Sequence, residues 1–166
     1  MGRIMTSPWG NEDTQTLIDI LGRYGVKATF FVVGQWAEKY PESVKALHEA
    51  GHEVMNHSDT HPHFPQLSAE QVIGELNACS DKVERVTGVR PTLVRLPYGD
   101  YDDASVSAVR SIGMTPIQWD VERPETDEKS IFPDIFSHNV PNMSHKVMKS
   151  DLLSQGFFTF HHLMIL

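Results

Sequence analysis

One cysteine in 166 residues, Cys79, leaves an internal disulfide nothing to join, so the chain needs no oxidising compartment to fold. Its plain reading is a small buried hydrophobe on a helix. Basic residues are also scarce, 14 Lys and Arg against 22 Asp and Glu, for a formal net charge of -8. A phosphate backbone or an anionic membrane surface rewards clustered Lys and Arg, so neither nucleic acid nor a membrane is expected as partner. The opening MGRIMTSPWGNED has no apolar core of the signal-peptide kind, and no later run is long enough to cross a bilayer. As written, the chain reads as soluble and without an export address, and its localisation is left unknown. Repeats and low-complexity tracts are absent as well.

What is present is enough apolar residue, 40% of the chain, to build one core, and the length favours a single domain over 1–166, expected to be monomeric. TQTLIDILGRY puts Leu17, Ile18, Ile20 and Leu21 on one helical stripe, with Gly25 where a left-handed cap would stop it. KATFFVVG is apolar from Ala28 to Val33 with little alternation, as in a strand buried on both faces of a parallel sheet. A single helix is expected through EKYPESVKALHEA, ending at Gly51, and then HEVMN as a short strand. Ser68 and Gln71 have capping-box spacing at the head of SAEQVIGELNACSDKVERVTG, which Gly88 closes. PTLVRLPYG reads as strand and loop, DDASVSAVRSIG as helix, and MTPIQWDV as strand. Such alternation predicts α/β architecture with parallel strands, wrapped as a barrel or laid out as an open sheet. After Val121 the rhythm fails: ERPETDEKS is too short and polar for a crossover helix. Pro133 weakens a strand reading of IFPDIFSHN, and a helix near HKVMKSDLLSQG and a strand GFFTFHHLMIL follow.

The densest polar chemistry lies in NHSDTHPHF, Asn56 to Phe64, with three histidines and an aspartate in seven positions. Asn, Ser, Asp and Pro also suit an ordinary turn, and His57 or His138 alone reads equally well as a solvated loop residue. The stronger signal is shared placement. Asn56 and His57, Arg95 and Tyr98, Asp120 and Glu122, and His138 all follow the carboxyl ends of successive strands, where barrels and open α/β sheets carry their active sites.

KATFFVVGQWAEKYPESVKALHEAGHEVMNHSDTHP, followed at the right distance by RLPYGDYD, resembles the NodB-homology polysaccharide deacetylases, carbohydrate esterase family 4, over most of the chain. The resemblance implies a deformed (β/α) barrel and a divalent metal, usually zinc with cobalt as an alternative, held by one Asp and two His. Here His57 and His61 match the two histidines. Since His61 precedes a proline, an irregular loop is expected in place of a helical turn. Asn56 is expected to orient that loop, and His63 to be a surface polar residue. By the same resemblance Arg95 orients the catalytic base, the Tyr98 backbone amide receives the oxyanion, Asp120 belongs to the WDVE motif that supports Arg95, and His138 of FSHN protonates the leaving amine. His161 and His162 fall in the closing strand as structural residues. The implied substrate is an N-acetylated polysaccharide such as chitin, chitooligosaccharide or peptidoglycan. Members of the family are often secreted or held at the cell envelope.

The family's first motif, TFDDG, is missing. With Pro8 aligned to the proline that commonly follows it, Met5 and Thr6 stand at the two aspartates, the general base and the third metal ligand. A neighbouring carboxylate such as Asp59 or Asp13 could substitute. Glu122 also stands where an aspartate is usual, and the tryptophan beyond it is absent. The expectation is therefore a deacetylase-type hydrolase with impaired activity, or a non-catalytic relative that binds metal or glycan. A reading frame that starts late and carries an internal deletion would explain both losses.

Overall fold

A computed structural model describes Asn11 and residues 13–117. Asp120, Glu122, His138, His161 and His162, like Met5 and Thr6, lie outside the described residues. The first helix, α1 (Thr14–Arg23), forms because Leu17, Ile20 and Leu21 recur on one face and are all buried. The chain turns at Gly25, whose φ of 64° carries no Cβ penalty. Strand β1 (Thr29–Val32) follows, with Phe30, Phe31 and Val32 all buried, as its unbroken apolar run requires.

The single helix expected next is two: α2 (Gly34–Lys39) and α3 (Pro41–Glu49). The break falls at Tyr40, φ -129° and ψ 59°, because a residue before proline is disfavoured in the helical region. Pro41 then opens α3 at the position where its missing N–H is harmless. After β2 (Glu53–Asn56) comes the long α4 (Ala69–Thr87). Its capping box is formed as expected: Gln71 N–H donates to Ser68 Oγ at 3.3 Å, Ser68 N–H donates to Gln71 Oε1 at 2.8 Å, and Gly88 closes the helix at φ 73°. Strand β3 (Leu93–Arg95) leads into a short 3-10 turn at Pro97–Gly99. A second capping box, Asp102 with Ser105, starts α5 (Asp103–Ser111), and β4 (Thr115–Ile117) ends the described part.

The four strands pair in parallel in the order β1-β2-β3-β4, which is also their order in the chain. Helix α3 packs beside both α1 and α4, and α4 beside α5. Successive crossovers thus form one continuous layer, as around a barrel, where a doubly wound sheet reverses its strand order and splits its helices between two faces. Side chains alternate accordingly. Phe30, Val32, Val54 and Val94 join the core under the helices, whereas Phe31, Met55 and Arg95 fall on the opposite face. No helix among the described residues is long and apolar enough to cross a membrane.

Two positions test this packing. A Cβ on Gly34 would stand 2.1 Å from Asp59 Oδ1 and 2.9 Å from the Cys79 Cα. Helix propensity alone favours Ala over Gly by about 1 kcal/mol, but overpacking typically costs about 1–3 kcal/mol. Gly34→Ala is therefore predicted to lower the urea midpoint, and a rise would mean that α2 and α4 are not so tightly apposed. His52 is 4% exposed; its Nδ1 accepts the Ala28 N–H at 3.2 Å and its ring meets Phe30 edge-on. Burial, and secondarily Lys27, lower its pKa below the ordinary histidine value. The unfolded chain then takes up the proton first, so the stability from neutral His52 is full above about pH 6.5 and declines as pH falls towards the folded pKa. The urea midpoint should drop between pH 7 and pH 5.5. His52→Gln, which keeps an acceptor for Ala28, should narrow that drop, and an unchanged drop would remove His52 from the account.

Candidate active site

The two-residue period of β2 separates its last side chains. Asn56 turns to the helices: its Nδ2 donates to the Leu76 carbonyl at 2.8 Å and to Ser80 Oγ at 2.9 Å, both on α4. Its Oδ1 accepts the Ser58 N–H at 2.8 Å, fixing the first bend of the following loop. This is the orienting role expected of it. His57 is 1% exposed, and its Nδ1 lies 2.7 Å from the Arg95 carbonyl. A carbonyl only accepts, so Nδ1 carries the proton and Nε2 presents a lone pair. Burial keeps this imidazole neutral, pushing its pKa down to about 3 against the opposing effect of the Arg95 carbonyl.

His61 comes back to it. The two Nε2 atoms are 3.2 Å apart and the rings stand edge to face at 4.8 Å. Two imidazole nitrogens on one tetrahedral zinc, at about 2.0–2.1 Å each, stand about 3.3 Å apart. The pair thus has the spacing of two ligands to one cation, and His57 the tautomer and protonation of one. No helical turn is involved, as expected. Ser58 and His61 hold φ of 65° and 61°, in the left-handed region that side chains other than glycine seldom occupy. Ser58 Oγ accepts the His61 N–H at 2.9 Å across that bend. The loop also docks on the start of α2, where Gly34 N–H donates to the Ser58 carbonyl at 2.9 Å and Gln35 N–H to that of Asp59 at 3.1 Å.

Arg95 ends β3 and is buried, at 5% exposure. Its guanidinium lies 4.6 Å from the Phe31 ring centroid, and burial lowers its pKa from the usual arginine value, though an arginine stays cationic. Three residues on, Tyr98 takes φ 59° beside Gly99 at 66°, and its amide makes no backbone hydrogen bond among the described residues. The Tyr98 ring sits between two histidines, edge-on to His61 at 4.5 Å and stacked on His63 at 3.9 Å. His63 is therefore more than a surface polar group: it covers one face of Tyr98, and its Nδ1 lies 3.0 Å from Asp100 Oδ2.

The carboxylates named as substitutes are accounted for differently. Asp59 accepts from Lys82 Nζ at 2.9 Å, and Lys82 also pairs with Glu38 at 2.8 Å. Asp13 is exposed at the start of α1 and caps nothing with its side chain. Among the described residues no group of three His, Cys, Asp or Glu side chains assembles that could hold a metal, so the histidine pair has no carboxylate beside it there. Cys79 lies under this region, fully buried, with Sγ 3.3 Å from the Val32 carbonyl and its thiol pKa pushed up to about 12 by burial. That is the inert residue its sequence context indicates.

Sequence reading missed Glu75 and Lys82. Glu75 accepts the N–H groups of Asp59 and Thr60 at 3.0 and 2.7 Å and the Thr60 hydroxyl at 2.8 Å. The two stand seven positions apart on α4, flanking buried Cys79. A charged pair at i, i+7 along an apolar stripe was the available signal.

The polysaccharide deacetylase family profile matches residues 6–117, and the chain belongs to that family. Among curated relatives, it is 36% identical over 117 residues to the peptidoglycan-N-acetylmuramic acid deacetylase PdaC of Bacillus subtilis, covering 70% of this chain and 24% of that one. It is 35% identical over 106 residues to chitin deacetylase 1 of Cryptococcus neoformans, covering 64% and 23%. The chain thus spans about a quarter of either relative. Among solved structures, a CE4 family pseudoenzyme from Bacillus anthracis matches with a TM-score of 0.64 at 32% identity, over 67% of this chain and 40% of that one. A mutant of it with restored enzymatic activity matches at 0.65 and 33%, over 67% and 41%. The described residues are accordingly part of a NodB-type deformed barrel, an incomplete one.

Asn56 should be the most costly of these positions to lose. Asn56→Ala leaves the Ser58 N–H, the Leu76 carbonyl and Ser80 Oγ without it in a buried place, where one unsatisfied group costs about 1–3 kcal/mol. A loss on the order of 3 kcal/mol in chemical denaturation is expected, and a loss well under 1 kcal/mol would show that the site does not rest on this side chain.

Proposed function

We propose that the chain is a metal-dependent hydrolase domain, spanning 1–166, that removes acetyl groups from N-acetylated polysaccharide, with turnover slow in the chain as it stands. The observation that carries the proposal is the pair of Nε2 atoms at 3.2 Å, with His57 Nδ1 committed to the Arg95 carbonyl. His57 and His61 hold the divalent metal in this reading, zinc first and cobalt as an alternative. When bound, such a metal polarises an acetamide carbonyl and lowers the pKa of water. The Tyr98 amide donates to the oxygen where negative charge develops, and the buried Arg95 cation draws a neighbouring carboxylate into place. His138, as donor of the leaving amine's proton, and Asp120, as support for Arg95, are carried from the family motifs. The substrate class is supported by the names of the relatives above, and by nothing finer.

A second reading is a non-catalytic relative that binds metal or glycan without turnover. It is favoured by the engagement of Asp59 with Lys82 and by Met5 and Thr6 standing at the aspartate positions. Loss of a general base typically costs a factor of about 10²–10⁴. Two measurements separate the possibilities. Titration with zinc and a competing indicator should show binding that disappears in His57→Ala and in His61→Ala, and equal binding by all three proteins would sink the metal assignment. Acetate release from N-acetylglucosamine oligomers with added zinc or cobalt should be slow or absent for the unmodified chain and should rise in the Met5→Asp, Thr6→Asp double variant. Robust turnover without those changes would show that another group serves as base. No gain in the double variant favours the non-catalytic reading.

A further inference from the structure

The loop that carries the two histidines is held from outside the site, and its strongest tie is a carboxylate on α4. Glu75 Oε2 accepts two successive backbone N–H groups, Asp59 at 3.0 Å and Thr60 at 2.7 Å, while Oε1 accepts the Thr60 hydroxyl at 2.8 Å. These three donors lie between Ser58 and His61, the two residues in the left-handed region. Charge-assisted bonds of this kind are about twice as strong as neutral ones. They fix the segment whose course decides whether the His61 ring returns to His57. We propose that Glu75 is a positioning residue for the metal site: it sets the separation of the two Nε2 atoms by clamping the backbone between them, without touching metal or substrate. The inference rests on the reading of His57 and His61 as metal ligands.

The clamp can be separated from the charge. Glu75→Gln keeps an oxygen for both amides, and its amide can donate to the Thr60 hydroxyl, so it retains the geometry and removes the charge. Glu75→Ala removes both. Partners outside the ligand shell typically change metal affinity about 10- to 100-fold when lost. Zinc binding to the full chain, followed with a competing indicator, should weaken at least about tenfold in Glu75→Ala and stay within about threefold of wild type in Glu75→Gln. Equal affinity in wild type and Glu75→Ala overturns the proposal. So does equal weakening in both variants, since charge would then be the cause. The φ-dependent NMR couplings of Ser58 and His61, taken without metal, test the clamp independently: they should shift in Glu75→Ala and not in Glu75→Gln. If wild type binds no zinc, the metal reading fails, and these couplings alone decide whether Glu75 sets the loop. Couplings unchanged in Glu75→Ala overturn it.

Discussion

The backbone between His57 and His61 must double back within four residues, and everything at the site depends on its being held there. Two residues other than glycine, Ser58 and His61, take left-handed conformations to do it, at roughly 1–2 kcal/mol each. Such strain persists only where the surroundings over-determine it. Here they do. The β3 carbonyl of Arg95 fixes His57, α2 meets the carbonyls of Ser58 and Asp59, and α4 contributes Asn56's partners, the Glu75 carboxylate and the Lys82 ammonium. Tyr98 repeats the device on the neighbouring loop at φ 59°, and its ring lies against His61. The strained residues of the two loops are thus in contact at one place.

Barrel geometry supplies the rest. Parallel neighbours end on the same edge, so Asn56 of β2 pairs with Val94 of β3, and the residues just beyond them, His57 and Arg95, come to the same face. That juxtaposition allows a backbone carbonyl to select the histidine tautomer, an arrangement common for metal-binding imidazoles. The apolar face beneath the helices keeps the frame rigid. Val54, Val94 and the buried stripe of α4 are packed on the side where Asn56 is anchored. A hydrophobic core and a polar site share each strand through its period of two.

The features legible in the sequence were those decided locally. The capping box at Ser68, the left-handed Gly88 and the apolar β1 follow from side-chain chemistry within a few residues, and all are found. The pairing of His57 with His61 was legible from spacing together with the family motif, and so was Asn56 as the orienting residue. What escaped was set by tertiary contact. His63 stacks on Tyr98 and meets Asp100 because two loops on neighbouring strands converge, and no local pattern encodes that. Glu75 is separated from the loop by fifteen and sixteen positions. The break at Tyr40 was misread although its cause, Pro41, is local, because the apolar period runs on through it.

In the proposed reading, metal holding falls to His57 and His61 and proton abstraction to the positions of Met5 and Thr6, two different parts of this chain. Among the described residues, the histidine pair, its tautomer-setting carbonyl and its clamps come from β2, β3, α2, α4 and the loop after β2. In that reading these contacts stand without a base from the first motif. Nor does the loop provide a replacement. Burial opposes the Lys82 charge, but Asp59 and Glu38 more than offset this and raise its pKa, so the ammonium stays with Asp59 across the neutral range. Freeing Asp59 to act as a base would break that pair and leave Lys82, 17% exposed at its side chain, to Glu38 alone. Removing one partner of a largely buried pair is costly because the other charge is left poorly solvated. The same contact that steadies the His57–His61 loop thus engages its carboxylate, which supports the proposed reading of metal binding without rapid turnover.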